Sequence, residues 1–485
     1  DYSNPRIRDF ENVNNWEQCL IDKSSQPRMP WRDIALRAEG PIVQGMRKHF
    51  LQFWNFNNIQ FSYKDSSVNL NYTKLQSMRS KKNVDAESLP ENSEKRHSGR
   101  KNEGKFKFYD EYEVDNDDTS ETELSSKSNE RKYKVGYYEE NDPDTFMEDD
   151  DFQINQYMLN NVYPDTNKQK IDGDFVCQAL RSGSLWSIGL SSEEPEHSIQ
   201  NAYLDMIENS KHFIYIENQF FISSTAGEQV HNKVVEAIVN RIILAIRKNE
   251  RFIVYIVLPL LPGFGGNIVE RDGQLLRIQV EWHLATIYKS KNSLIKQIMK
   301  EDPNWEKYLK IYGLRNHDFM NNTPVSEIVY VHSKLIIVDD CTCLIGGANI
   351  NDRSRMGDRD SELAMSISQK NKKDFVLNGT MFPKSPQVRT MRINAWKTLF
   401  QLDINYEDPL DPDFISAIDA QASINENFYW NCFKLYPHNS LTSLKKVAEV
   451  VPEINSEYYK LNVHMVKGFV LPWPIKFLEE EEELT

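Results

Sequence analysis

Several things are scarce in this sequence, and each shortage narrows what the chain can be. Its five cysteines, Cys19, Cys177, Cys341, Cys343 and Cys432, are odd in number and too scattered for a disulfide framework. They read as reduced thiols of an intracellular protein. Cys341 and Cys343 share a strand face, but no second pair completes a zinc site. Long apolar runs are missing too. The most apolar stretch, 252–261, has about half the residues a bilayer span needs and is followed by proline, so it reads as a buried strand. Positive charge is in deficit: a net charge of −14 argues against a general nucleic-acid binder. A start methionine is absent as well, and a chain opening at Asp1 fits a portion of a longer sequence.

What is present suggests more than one core. A length of 485 residues allows two or three domains, and 27% charged residues fit a globular protein that carries a polar insertion. Apolar residues at helical spacing over 42–54 follow Gly40-Pro41, predicting an amphipathic helix packed on a sheet, with His49 as a packing residue. Low apolar content and acidic runs then mark 60–172 as a disordered insertion. Order returns with a helix over 198–209, a strand-like run over 213–222, a helix over 234–248 and a strand over 252–261 that closes on a turn at 262–266. A helix over about 275–299 follows, then strands around His332 and over 362–367. The economical architecture is α/β, a mixed sheet flanked by helices.

The chemistry concentrates in 331–362, V-H-S-K-L-I-I-V-D-D-C-T-C-L-I-G-G-A-N-I-N-D-R-S-R-M-G-D-R-D-S-E. Strand alternation would project His332 and Lys334 from one face, so an imidazole and an ammonium meet the same ligand. Asp339 follows, and then Gly346-Gly347 and Asn349, where small residues admit close backbone approach. A histidine, a fixed cation and amide donors suit phosphoryl chemistry that uses no metal.

The spacing His332-x-Lys334-x4-Asp339 followed by Gly-Gly-x-Asn resembles the HKD motif of the phospholipase D superfamily. Six blocks in order extend the likeness to the eukaryotic phosphatidylcholine-type phospholipases D: P-R-M-P-W-R-D (27–33), K-H-F-L-Q-F-W-N-F (48–56), I-Y-I-E-N-Q-F-F-I-S (214–223), V-Y-I-V-L-P-L-L-P-G-F (254–264), the 331–362 stretch, and V-K-G-F-V-L-P-W-P-I-K-F-L (466–478). The resemblance implies a phospholipase D-like, bilobal fold with the end of the first catalytic lobe in 1–59, the second lobe in 173–400 and a C-terminal extension in 401–485.

It further implies that two H-x-K-x4-D halves share one site, one histidine forming a phosphohistidine and the other acting as acid and base. On this chain His332 would be the acid and base, Lys334 and Asn349 would hold phosphate oxygens, Asp339 would be structural, and Glu362 would orient the imidazole. Arg241, Arg247, Lys248 and Arg251 match a cluster that recognises phosphoinositide headgroups, which implies a phosphoinositide activator, small GTPases as regulators and a peripheral place on cytoplasmic membrane faces. No metal or other cofactor is implied for the chemistry.

The chain departs from the pattern in three places. His231-Asn232-Lys233 starts a second motif, but Ile238 stands where the aspartate belongs and the segment reads as helical, so the first half-site is missing. Gly347 occupies a position that commonly carries serine. The end, Glu479 to Thr485, lacks the expected tail. Three readings follow: a phospholipase D of which this chain carries the second half-site, a one-motif phosphodiesterase that pairs two copies, and a non-catalytic lipid-binding or scaffold homologue.

Overall fold

The computed structural model describes residues 27–64, 174–190 and 194–481, with side chains of the first stretch described to residue 56. The disorder expected of 60–172 lies outside the described residues from 65 onward. Residues 60–64 instead complete the helix Val43–Lys64, so the insertion cannot begin at 60.

The strands, in chain order, are β1 (Trp31–Arg32), β2 (Phe175–Gly183), β3 (Glu196–His197), β4 (Phe213–Glu217), β5 (Ile253–Val257), β6 (Leu309–Met320), β7 (Thr323–Ile328), β8 (Tyr330–Val331), β9 (Leu335–Val338), β10 (Thr342–Gly346), β11 (Glu362–Gln369), β12 (Lys373–Leu377), β13 (Thr380–Lys384) and β14 (Val470–Pro472). Ten of them form one sheet in the order β14-β6-β5-β4-β9-β10-β11-β2-β3, with β7 paired to β6. Strands β4, β5 and β6 run parallel, whereas β9, β10, β11 and β2 continue as antiparallel neighbours. The sheet is therefore mixed, as the sequence pattern predicts.

Both faces of the central strands are covered. Ile214 and Ile216 of β4 join one core, while Phe213 and Tyr215 join the other. This explains why β4 and β5 read as continuous apolar runs rather than alternating ones. Helices Ser198–Glu208 and Val234–Lys248 cover the first face; helix Pro386–Phe400, through Trp396, and the first half of helix Pro412–Phe433 cover the second.

Three expected elements differ. The long helix over 275–299 is broken into Gln274–Leu284, a π-helical turn Ala285–Lys289 and a separate helix Leu294–Glu301, with Ser290 extended between them. His231 to Lys233 precede the helix Val234–Lys248 instead of lying in it, and the His231 and Asn232 amides donate to the Asp352 carboxylate. His332 to Lys334 form an irregular link between β8 and β9, so strand alternation is not what orients them.

Candidate active site

Asp339, the last residue of the H-x-K-x4-D spacing, sits in the turn between β9 and β10. Asp339 and Asp340 both have positive φ, 52° and 55°, and the Cys341 amide bonds back to the Val338 carbonyl at 2.8 Å. Two consecutive left-handed residues give the tight turn whose twist matches a hairpin, a conformation aspartate tolerates better than most residues. Each side chain is then consumed by the fold. Asp339 accepts the amides of Lys211, His212 and Phe213 at 2.7, 2.8 and 2.8 Å, which fixes the entry to β4. Asp340 is fully buried between Arg392 and Lys384. Cys341 lies at the turn and Cys343 in the core, and burial pushes their thiols up to about 11 and about 12.

His332 is placed from the other end. Strand β1 has only two residues, yet it pairs in parallel with β8, and the Arg32 carbonyl accepts the His332 amide at 2.8 Å. The Arg32 guanidinium forks onto Glu217 at the end of β4, with Nε to Oε2 2.8 Å and Nη2 to Oε1 2.6 Å, and the Tyr215 hydroxyl donates to the same carboxylate at 2.6 Å. Glu217 is fully buried, where a lone carboxylate would be costly, so Arg32 is required there by physics as much as by sequence. Burial alone would lower the Arg32 pKa; the adjacent Glu217 outweighs it and raises it.

Asp33 follows directly, and its Oδ2 lies 2.8 Å from His332 Nδ1. Burial would raise the Asp33 pKa, but hydrogen bonds from His332, the Ile34 amide and Trp31 hold it below the usual carboxylate value. An ionised carboxylate only accepts, so Nδ1 carries the proton and Nε2 is left for a reacting group. The Trp31 ring stands 4.9 Å from the imidazole, and the His332 side chain is 35% exposed. This corrects one expectation: the carboxylate that orients His332 is Asp33, not Glu362. A residue 299 positions away along the chain was brought in by the β1–β8 pairing.

Lys334, two residues on from the histidine, is buried at 7% exposure. Burial lowers its pKa to about 8, although Asp33 and Glu362 pull the other way. Glu362 opens β11; burial raises its pKa, with Ser354 and the charges of Lys334 and Arg355 acting in opposition. A Cβ at Gly347 would stand 2.6 Å from Glu362 Oε2, so glycine leaves room for that carboxylate. Asn349 is positioned through its backbone: Arg355, buried with its guanidinium 3.6 Å from the Tyr203 ring centroid, donates to the Asn349 and Ala348 carbonyls at 2.7 and 3.2 Å. Its side-chain oxygen is buried and, among the described residues, takes no hydrogen bond.

His332, Lys334, Asp33 and Glu362 thus form one electrostatic group. The basic cluster does not. Arg241 is buried, donating to the Ser210 and Lys211 carbonyls at 2.7 and 3.1 Å and to Glu250, with its guanidinium over Phe252. Arg247 is forked onto Glu301 and Arg251 donates to the Leu410 carbonyl, which leaves Lys248 as the exposed cation of the four without a recorded bond. The expected four-residue patch fails because the first arginine belongs to the buried face of its helix.

A mixed α/β sheet with a carboxylate-held histidine and a buried lysine in the link that leads into its central strand β9 defines a protein of the H-x-K type. The comparisons make it particular: residues 137–445 match the family model described as PLDc, Phospholipase D, and the chain belongs to the phospholipase D family. It is 31% identical to Phospholipase D of Phytophthora infestans over 99% of this chain and 28% of that protein. It is 29% identical to Phospholipase D2 of Bos taurus over 99% of this chain and 43% of the relative, and 30% identical to Phospholipase D1 of Homo sapiens over its whole length and 38% of the relative. The chain thus spans less than half the length of these relatives.

Arg32, Asp33 and Glu217 all lie outside the H-x-K spacing, which therefore gives none of them a role. A signal existed: an acid closing the otherwise apolar run F-I-Y-I-E must be buried with its strand and therefore needs a cation.

Proposed function

We propose that the protein works as a phospholipase D on phosphatidylcholine, yielding phosphatidic acid and choline, and that this chain contributes the half-site built on His332. The observation that carries the reading is the His332 Nδ1 to Asp33 Oδ2 contact of 2.8 Å with the Lys334 cation buried beside it. With Nδ1 held, protonated Nε2 faces the reacting group. A histidine of the other half attacks phosphorus, the P–N bond forms as the P–O bond to choline breaks, and His332 passes its proton to the departing oxygen, which leaves poorly as an alkoxide. Neutral His332 then takes a proton from water as the water attacks the phosphohistidine, releasing phosphatidic acid.

Lys334 neutralises charge on the non-bridging oxygens and Asn349 contributes its amide. Glu362, near enough to Lys334 for their charges to interact, would hold the second imidazole in this reading; among the described residues, no histidine is its hydrogen-bond partner. The domain division belongs to the same proposal, with the end of the first lobe carried to the close of helix Val43–Lys64 and the later parts at 173–400 and 401–485. So do a peripheral membrane position, a phosphoinositide activator at the exposed end of helix Val234–Lys248 and small GTPase regulators. Among the described residues no helix is long and apolar enough to cross a membrane.

The test is choline release from phosphatidylcholine vesicles that contain phosphoinositide. It compares this chain, its His332→Ala variant, and the chain fused to the part of a curated relative outside the matched region. Turnover by the fusion alone, abolished by His332→Ala, is the expected result. Turnover by this chain alone that follows its dimer concentration would instead establish the paired one-motif enzyme.

A further inference from the structure

The Asp33–His332 contact has little of its own to hold it in place: both side chains reach solvent, at 45% and 35% exposure, and the strand that delivers Asp33 is two residues long. Exposed pairs of this kind contribute little binding energy, so the geometry must be imposed from elsewhere. One residue before Asp33 supplies a charged anchor, the Arg32 fork on fully buried Glu217, whose second carboxylate oxygen also accepts the Tyr215 hydroxyl. The carbonyl of that same Arg32 accepts the His332 amide. A single residue is therefore bonded to the core acid through its side chain and to the histidine through its backbone, and Asp33 is the next residue along.

We propose that Glu217 is a positioning residue for His332: by clamping Arg32 it fixes β1, and β1 sets the Asp33 carboxylate that selects the imidazole tautomer. Glu217 touches neither the imidazole nor Lys334 in any recorded contact, so it acts through Arg32 and Asp33. The inference rests on the role proposed for His332, but it makes a claim of its own about where that histidine's orientation originates.

The 485-residue chain labelled with nitrogen-15 in histidine tests it without requiring turnover. The ring nitrogen shifts of His332, assigned by the His332→Gln variant, report which nitrogen is protonated above the pH at which the imidazole loses its charge. The wild type is expected to show the Nδ1–H form. Glu217→Gln keeps the shape and removes the charge, and should reduce the Nδ1–H to Nε2–H ratio by about tenfold, the loss of one charge-assisted hydrogen bond. Hydrogen exchange of the His332 amide should accelerate with it.

Asp340→Asn, which breaks a fully buried ion cluster at the turn between β9 and β10, should lower thermal stability while leaving the tautomer unchanged. Should Glu217→Gln not fold, the pair Arg32→Leu with Glu217→Leu fills the site with apolar volume, the exchange that often preserves stability, and is expected to fold with the tautomer preference lost. A folded Glu217 variant that keeps the wild-type tautomer ratio and His332 amide protection overturns the clamp while leaving the site intact. A wild type that itself shows Nε2–H overturns the reading of His332 and the clamp with it.

Discussion

The ammonium of Lys334 faces a conflict that sets how the site responds to pH. Burial lowers its pKa to about 8, while Asp33 and Glu362 oppose the shift. The sign follows directly: the group is a cation below about 8 and becomes neutral as pH rises through it, well before an exposed lysine would. Binding of inorganic phosphate to the chain should therefore hold up to about pH 8 and weaken by up to about tenfold per unit beyond it, the limit set by linkage of one proton. Lys334→Arg should keep its charge across that range, because a guanidinium does not deprotonate there, and should flatten the alkaline limb. Isothermal titration between pH 7 and 10 makes the comparison. An identical alkaline decline in both proteins would show that the loss comes from another group. At this scale the sequence was informative about which residues carry charge and silent about their partners. His332 and Lys334 could be read from spacing, whereas Asp33 could be assigned to His332 only once β1 was seen to lie against β8.

The turn between β9 and β10 shows how a motif residue can belong to the scaffold. Three amides depend on Asp339, that of Phe213 buried and those of Lys211 and His212 partly so, and Asp339→Ala would leave all three without this acceptor, so stability to urea should fall by about 2–4 kcal/mol. Its neighbour presents a different balance. Two cations share the one Asp340 carboxylate: Arg392 reaches it at 2.7 and 2.9 Å, Lys384 at 3.2 Å. Burial opposes the Asp340 charge, but Arg392 and Lys384 overcome this and lower its pKa, while Lys384 is pushed down by burial despite the pull of Asp340. Asp340→Asn leaves two buried cations uncompensated and should cost about 3–5 kcal/mol, whereas Lys384→Met keeps the forked pair and should cost far less. Equal losses in the two variants would mean that the lysine, not the arginine, balances the carboxylate. Element reading from sequence succeeded where one signal dominated. Helix Val234–Lys248 has a strong apolar stripe, and its bounds were read to the residue. It failed over 275–299, where the apolar spacing continues across the break: Ile287 lies in the π-turn and Leu294 begins the next helix, both fully buried, so periodicity alone shows no interruption.

At the scale of the whole molecule the question is how a chain of net charge −14 could approach an anionic membrane. The general field repels, so attraction must be local and short in range, screened beyond about 10 Å at ~0.1 M salt. The face built from helix Val234–Lys248 and helix Leu294–Glu301 is where the proposed lipid contact falls, and its charges are mostly committed. Arg241 is spent on two carbonyls and Glu250, so Arg241→Gln should act by destabilising the fold, not by weakening a headgroup contact. Lys248 is free to contribute about 1 kcal/mol, which makes Lys248→Ala worth about fivefold in vesicle affinity. Arg247 is held back by Glu301 at 2.6 Å. Glu301→Gln removes an anion from that face and releases a guanidinium, and it is expected to strengthen binding to phosphoinositide vesicles by about fivefold or more, with the gain shrinking as salt is raised. Co-sedimentation of the chain with neutral and anionic vesicles measures each change. Glu301→Gln leaving affinity unaltered, together with folded Arg241→Gln abolishing it, would mean that the lipid meets the helix from its other side and that the arginine turns outward to bind it.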